Sequence, residues 1–242
     1  MSGINNLFIG DKNAEAVYVG DKECELLYLG DKVVYQKGAS FVEDYMFNYN
    51  AKEFNASTHT FPKKSGQLFD EDLVLVNTVS EIYDDYVRIY NNYMLKSYAS
   101  TASNPFNRGN GQPTDFTFIY KANFLGGGTI VGNRGGNYNW MVRRGSFNNR
   151  SASMAFEPSQ QPCTIIITVD SSGNGLRKCI ETNQSASETI TFGSMSNAIG
   201  FFSDRGDMTA ELFNGNFYWM FCANRKLTDA EIQTVIDYNN NL

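Results

Sequence analysis

Several residue types that bind sugars occur together in one stretch near the middle of the chain. The set is Arg134, Asn137, Tyr138, Asn139, Trp140 and Arg143. Aromatic rings stack on the C–H faces of a sugar, and amide and guanidinium groups pair with its hydroxyls. We therefore predict a ligand-binding site here. If Trp140 and Val142 instead face the core, Tyr138 and the preceding loop remain available to a ligand.

Carboxylates do not occur in a pattern that would cleave a sugar. Glycoside hydrolysis with retention needs two carboxyl groups about 5 Å apart, and alternation along a strand can place them on one face. The acidic residues at 81, 84 and 85 have the wrong spacing, and those at 23 and 25 fall within an N-terminal repeat. The single histidine, His59, has no Ser or Cys nucleophile marked by a motif. We predict no catalytic residue and no enzymatic activity.

Oxygen ligands for calcium occur at three places: Asp170 with Asn174, Asp204 with Asp207, and the acidic stretch 70–72. Each is also typical of a turn or a solvated loop. The four cysteines are Cys24, Cys163, Cys179 and Cys222. They lack CxxC spacing, so we interpret them as reduced thiols. We predict no metal and no cofactor, with calcium as the one ion left open.

Charge and hydropathy exclude two classes of partner. The net charge is −6 over 242 residues and the pI is near 4.9, whereas nucleic-acid binding needs a basic patch. No apolar run reaches the length of a membrane-spanning helix, about 18 residues. The N-terminal residues lack a basic segment followed by an apolar one, so we expect no export signal.

The elements that must position these residues are mostly strands. Apolar runs recur every 8 to 15 residues from position 41 onward and are separated by turns rich in Gly and Asn. Predicted strands include 73–76, 86–90, 115–120, 129–131, 139–143, 153–156, 164–169, 177–182, 188–192, 198–202 and 212–223. This spacing indicates a β-sandwich. Phe217, Trp219 and Phe221 alternate in the last strand and are predicted to be core residues.

One helix is predicted, at the C-terminus. Thr228 is its N-cap, and Glu231 three residues later completes a capping box. Leu227 and Ile232 are placed to form a hydrophobic staple across the cap. The helix is expected to end near Tyr238, where three Asn residues follow.

The closing segment resembles that of concanavalin A-like laminin-G domains. Residues 213–221 and 224–232 match the family's final strand and its capped helix. Phe116–Ile119 is similar to an early core strand, and Ile165–Asp170 with Gly173 to a strand and its turn. The resemblance covers about residues 45–242. It implies an all-β concanavalin A-like jelly-roll sandwich that serves recognition or structure, and calcium is a ligand that such domains often hold.

A ten-residue repeat precedes this region. Its recurring positions are Phe8, Gly10 and Asp11; Tyr18, Gly20 and Asp21; and Tyr28, Gly30 and Asp31. Gly-Asp permits chain reversal, so we predict a short β-meander over residues 1–38, followed by the sandwich over 39–242. A segment this small rarely folds alone. It either docks onto another chain or packs on the sandwich.

The repeat resembles those at the N-termini of phage head- and tail-fibre proteins. The resemblance implies a virion structural protein that forms a homotrimer and contacts other virion proteins. Its sandwich would be displayed outward toward host-surface glycans. The alternative is a bacterial cell-surface or secreted carbohydrate-binding module, which would normally need an export signal.

Overall fold

The computed structural model describes most of the sandwich and parts of the N-terminal repeat. The described residues are 42, 45–64, 67, 71–77, 81–90, 92, 115–126, 128–133, 140–143, 146–148, 153–155, 161–189, 200–203 and 212–242, together with four short strands between residues 18 and 36.

The regular secondary structure of the described residues is almost entirely strand. The strands are β1 (Tyr18–Val19), β2 (Lys22–Glu23), β3 (Leu26–Leu29), β4 (Lys32–Gln36), β5 (Tyr45–Asn50), β6 (Thr60–Phe61), β7 (Leu73–Val74), β8 (Glu81–Ile82), β9 (Val87–Tyr90), β10 (Phe116–Phe124), β11 (Thr129–Asn133), β12 (Trp140–Arg143), β13 (Ser146–Asn148), β14 (Ser153–Ala155), β15 (Cys163–Val169), β16 (Asn174–Cys179), β17 (Ser185–Thr189), β18 (Gly200–Phe201) and β19 (Asn214–Ala223). A 3₁₀ turn covers Ala51–Glu53, and one α-helix, α1, covers Asp229–Asn241.

Two antiparallel sheets form the sandwich. The larger has eight strands in the order β17–β16–β15–β10–β19–β9–β8, with β5 also paired to β19. The smaller has five in the order β14–β13–β12–β11–β18. This arrangement confirms the predicted all-β fold with a single C-terminal helix.

The main core fills the space between the sheets. The larger sheet contributes Phe118 and Phe217, and the smaller contributes Val131 and Phe201. Aromatic rings meet edge to face across the layers, as where the Phe47 and Phe201 centroids lie 5.2 Å apart. Such pairs add about 0.5–1.5 kcal/mol beyond the area that they bury.

A second apolar cluster lies on the outer face of the larger sheet, beneath helix α1. The sheet supplies Ile119, Ile166, Trp219 and Phe221, and the helix side supplies Leu227, Ile232, Val235 and Ile236. The central strands are therefore buried on both faces. This explains why β10, β15 and β19 read as nearly continuous apolar runs rather than as alternating ones.

Strand β19 contains a bulge that divides its aromatic residues between the two clusters. Phe217 pairs with Ala122 and Trp219 pairs with Lys121, so Tyr218 is the additional residue. Phe217 consequently faces the main core, whereas Tyr218 and Trp219 both face the helix side. The predicted burial of Phe217, Trp219 and Phe221 is confirmed, but only Phe217 lies between the sheets.

Helix α1 begins as predicted and ends later. Thr228 and Glu231 form the capping box, and Leu227 and Ile232 are buried together beside it. The expected end near Tyr238 is wrong, because the helix continues to Asn241. The sheet holds its last turn: the Asn50 side-chain amide donates to the Asn239 carbonyl at 2.9 Å.

The N-terminal strands form two hairpins. Val19 pairs with Lys22 and Leu29 with Lys32, so a Gly-Asp pair separates the strands of each hairpin. Among the described residues the hairpins form separate two-stranded sheets. Tyr18 and Tyr28 lie in β1 and β3. The remaining repeat positions, Phe8, Gly10, Asp11, Gly20, Asp21, Gly30 and Asp31, lie outside the described residues.

Candidate functional site

The sugar-binding stretch predicted from the sequence lies mostly outside the described residues. This applies to Arg134, Asn137, Tyr138 and Asn139. Trp140 begins β12 opposite Asn133. Arg143 ends the same strand, partly exposed, and the neighbouring Val142 is buried in the main core. This site therefore stays a prediction.

A different set of sugar-binding residue types lies on the outer face of the larger sheet, beside helix α1. Val87 and Ile89 point into the main core, so strand alternation places Tyr86, Arg88 and Tyr90 on the outer face. Glu81 pairs with Arg88 across the hairpin and lies on the same side. The outer face of this edge is thus aromatic and polar.

Three tyrosines and a lysine form a line on this face, which we name the tyrosine row. Tyr83 and Tyr86 lie in the turn between β8 and β9, Tyr218 lies in β19 and Lys121 in β10. Tyr83 and Tyr86 stack with centroids 4.3 Å apart at 22°. Tyr86 and Tyr218 lie 5.3 Å apart, and the Lys121 ammonium is 5.4 Å from the Tyr218 ring centre. Tyr83 is 47% exposed. One face of its ring is backed by Tyr86, and the ring is therefore held as a platform at the surface.

A polar row runs beside the tyrosine row, one step further along the same strands. Cross-strand pairing aligns Glu81 with Arg88, Arg88 with Asn216, and Asn216 with Asn123. Arg88 donates from Nη1 to the Asn216 side-chain oxygen at 3.2 Å. The Asn123 side-chain oxygen is buried and has no hydrogen-bond partner among the described residues.

The hydroxyls of Tyr86 and Tyr218 act as hydrogen-bond donors at neutral pH. Burial, followed by the nearby Asp85 carboxylate and Tyr86, raises the pKa of Tyr218 to about 12. The pKa of Tyr86 is raised by burial and by its neighbour Tyr83. A protonated phenol both donates and accepts, which suits the hydroxyl groups of a sugar.

In the calcium candidates that the structure describes, the aspartate carboxylates already accept hydrogen bonds from N–H groups of the chain. The Asp170 carboxylate accepts from the backbone N–H groups of Ser172 and Asn174 and from the Asn174 amide, at 2.9–3.0 Å. These hydrogen bonds lower the pKa of Asp170, and those from Asn174 have the largest effect. Asp72 accepts from the Lys63 backbone N–H at 2.8 Å. Asp204, Asp207 and Asp70 lie outside the described residues.

His59 also has a turn role. It lies at φ 53° in the turn between Asn55 and Thr60, and its carbonyl accepts from the Leu75 N–H at 2.9 Å. A left-handed backbone is uncommon outside glycine and fits a turn.

No helix among the described residues is long and apolar enough to cross a membrane.

Sequence reasoning missed the tyrosine row, although part of its signal was present. Tyr86, Arg88 and Tyr90 alternate with Val87 and Ile89, which indicates a face with aromatic and charged groups. The contributions of Tyr218 and Lys121 depend on strand pairing and on the bulge. No local pattern shows either of them.

Comparison with known proteins identifies the fold. No protein-family model and no curated protein matches the chain. Among solved structures, a Trypanosoma rangeli sialidase mutant displaying trans-sialidase activity aligns with a TM-score of 0.56 at 10% identity, over 81% of this chain and 33% of its own. The same organism's sialidase in complex with the inhibitor DANA aligns with a TM-score of 0.51 at 9% identity, over 88% and 35%.

A third structure, domain 4 of the GH43 extracellular arabinanase AbnA from Geobacillus stearothermophilus in complex with arabinotriose, has a TM-score of 0.48 at 8% identity. It covers 79% of this chain and 98% of its own. The chain spans about a third of the length of the sialidase chains that it matches. At such identities the sialidase alignments show the β-sandwich fold.

Proposed function

We propose that this protein is a non-catalytic carbohydrate-binding module that holds a sugar ring on the tyrosine row. The observation that carries the proposal is the Tyr83 ring, which is 47% exposed and stacked at 4.3 Å on Tyr86. A ring held in place by its neighbour loses little conformational freedom when a ligand binds, which lowers the cost of association.

The neighbouring groups supply the polar half of sugar recognition. The Lys121 ammonium donates, the Glu81 carboxylate accepts, and Arg88 offers a guanidinium fork beside the row. Glu81 already accepts from the Tyr83 hydroxyl at 3.4 Å, a long bond that a sugar hydroxyl can replace. The site thus combines a stacking surface with charged donors and acceptors at its edges.

The fold is compatible with this function, because a sandwich of the same fold occurs in the sialidase that aligns at a TM-score of 0.56. One fold hosts many functions, so the tyrosine row carries the proposal and the likeness only supports it. A β-sandwich is suited to the task because antiparallel pairing fixes neighbouring side chains at repeated spacings across a sheet face.

A glycan array probed with the multimerised protein tests the proposal. We expect binding by the wild type and about a tenfold loss for Tyr83→Ala, because removing one aromatic stacking partner costs about 1.4 kcal/mol. Leu176→Ala is the matched control. It removes a side chain of similar exposure, 41%, from the outer face of β16, near the other edge of the same sheet, and binding should be unchanged.

Trp140→Ala separates the tyrosine row from the site predicted from the sequence. Loss of binding in Trp140→Ala with retention in Tyr83→Ala would move the sugar to the β11–β12 connection. Absence of binding by the wild type at high avidity would overturn the proposal and leave an architectural sandwich.

The second candidate is a virion fibre or decoration protein, and the N-terminal hairpins favour it. Two successive hairpins have the same two-residue spacing. The hairpins form separate two-stranded sheets among the described residues, and in this candidate their edges would pair with strands of other chains. In this case residues 1–38 would hold a homotrimer or contact other virion proteins, and the sandwich would be displayed.

A further inference from the structure

Two thiols and a carboxylate converge at one end of strands β15 and β16. The Cys163 and Cys179 sulfurs and a Glu181 carboxylate oxygen all lie within 4.8 Å of one another. Among the described residues this is the one group of three or more His, Cys, Asp or Glu side chains placed to share an ion. Its two thiols belong to the core between the sheets, whereas the tyrosine row lies on the outer face of the larger sheet.

Strand register brings the two sulfurs together. Cys163 begins β15 and Cys179 ends β16, with Cys179 opposite Ile165. Both thiols point to the buried inner face. Beyond β16 the chain turns at Ile180–Gln184, and Glu181 folds back so that its Oε2 accepts the Thr164 N–H at 2.7 Å. The Cys179 sulfur lies 3.6 Å from the same oxygen.

The geometry suits an ion better than a disulfide. The cysteines are diagonal neighbours on adjacent strands, and such Cα atoms lie about 7–8 Å apart. A disulfide spans at most about 6.8 Å between Cα atoms without movement of the backbone. A tetrahedral Zn²⁺ with bonds of about 2.3 Å to sulfur leaves its ligand atoms about 3.8 Å apart. The three ligand atoms are at most 4.8 Å apart, so small side-chain shifts bring them to the separation that the ion requires.

We propose that Cys163, Cys179 and Glu181 bind a thiophilic divalent ion of the Zn²⁺ class, with water as the fourth ligand. Each thiol releases its proton to solvent as its sulfur binds the metal. Glu181 is exposed and marks the side on which the ion and the water enter.

The local charge supports this assignment. Two thiolates and one carboxylate leave a Zn²⁺ site with a net charge of −1, which needs a nearby cation when it is partly buried. The Arg177 guanidinium lies on the same inner face of β16, 1% exposed, and donates to the Tyr120 hydroxyl at 3.5 Å. Arg177 precedes Cys179 by two residues on this face of the strand, so the positive charge is on the same side of the sheet as the thiols.

Cadmium titration of the reduced, metal-free full chain tests the site, because Cd²⁺ bound to thiolate gives an ultraviolet charge-transfer band. We expect saturation at one ion per chain, competition by Zn²⁺, and loss of the band in Cys163→Ser and Cys179→Ser. Glu181→Gln should weaken the affinity about tenfold or more. Because Glu181 is exposed, this variant keeps the core intact and remains informative if the serine variants do not fold.

Cys222 supplies a matched control, since it is a fully buried thiol outside the cluster. Burial raises its pKa well above the usual range, so Cys222→Ser should leave the titration unchanged. An equal band in the Cys163→Ser/Cys179→Ser double variant overturns the proposal. So does unchanged affinity in Glu181→Gln, or a Cys163–Cys179 disulfide found by mass spectrometry in the chain purified without reductant.

Discussion

Glu231 joins the start of helix α1 to the end of strand β19. Its carboxylate accepts from the Thr228 N–H at 2.8 Å and the Thr228 hydroxyl at 2.9 Å. Arg225 donates to its two oxygens at 3.0 and 2.6 Å. These hydrogen bonds lower the pKa of Glu231 to about 2, and those from Arg225 have the largest effect. A negative charge in the first turn also interacts favourably with the helix dipole.

This arrangement predicts a pH-dependent contribution to stability. A lowered folded-state pKa gives stabilisation that is complete above the unfolded value near 4.5 and is lost as the pH falls through about 2. At pH 7 we expect Glu231→Gln to lower the free energy of unfolding by about 0.5–1 kcal/mol, the size of a partly exposed charged contact. Urea titrations of both proteins at pH 7 and near pH 2 check this. A stability difference that does not narrow at low pH would contradict it.

At the scale of elements, strands with apolar runs were predictable and those defined by distant partners were not. β10, β15 and β19 were predicted in place. The strands predicted at 177–182 and 188–192 begin three residues earlier, at Asn174 and Ser185. β16 starts early because of a tight turn in which the Gly173 N–H donates to the Asp170 carbonyl and Gly173 adopts φ 82°. β17 starts early because the next turn, in which the Asn183 N–H donates to the Ile180 carbonyl, is also short.

Strand β5 was missed because its sequence contains asparagines, which are depleted in strands. The structure buries Asn48 and Asn50 fully. The Asn50 amide is satisfied by Asn239, which is 189 residues away in sequence. For Asn50 this partner offsets the cost of burying an amide, and the chain order alone does not show that partner.

Shortening a side chain of helix α1 that packs on the sheet should lower the free energy of unfolding by a measurable amount. Ile236 is 6% exposed in the second cluster, so Ile236→Ala should lower the free energy of unfolding by about 2–4 kcal/mol. Gln233→Ala, on the exposed face of the same helix, should change it by at most about 0.5 kcal/mol. Chemical denaturation measures both, and equal effects would show that the helix does not support the sheet.

At the scale of the molecule, strand spacing was sufficient to predict a sandwich but not where a ligand would bind. The tyrosine row draws on residues 83 and 86 from the turn between β8 and β9, on residue 121 from β10 and on residue 218 from β19. Their proximity depends on the order of those strands and on the bulge at Tyr218. The site predicted at 134–143 used residues adjacent in sequence, which is the kind of grouping that sequence reasoning can detect.

The N-terminal hairpins predict an effect on assembly that is separate from folding. Deleting residues 1–37 removes β1–β4 and leaves both sheets of the sandwich intact. If the repeat holds chains together, light scattering should show a trimer for the full chain and a folded monomer for the deletion variant. A monomer in both cases would refute the assembly role and favour a freestanding binding module.

The position of Trp219 makes the protein its own spectroscopic reporter. Its indole is 2% exposed and donates to the Asn240 side chain on the last turn of helix α1 at 3.2 Å. Since the chain has only two tryptophans, a Trp140→Phe background leaves one fluorophore at the contact between helix and sheet. A red shift in its emission on denaturation, followed beside the far-ultraviolet signal of the strands, would reveal whether the helix detaches before the sandwich opens.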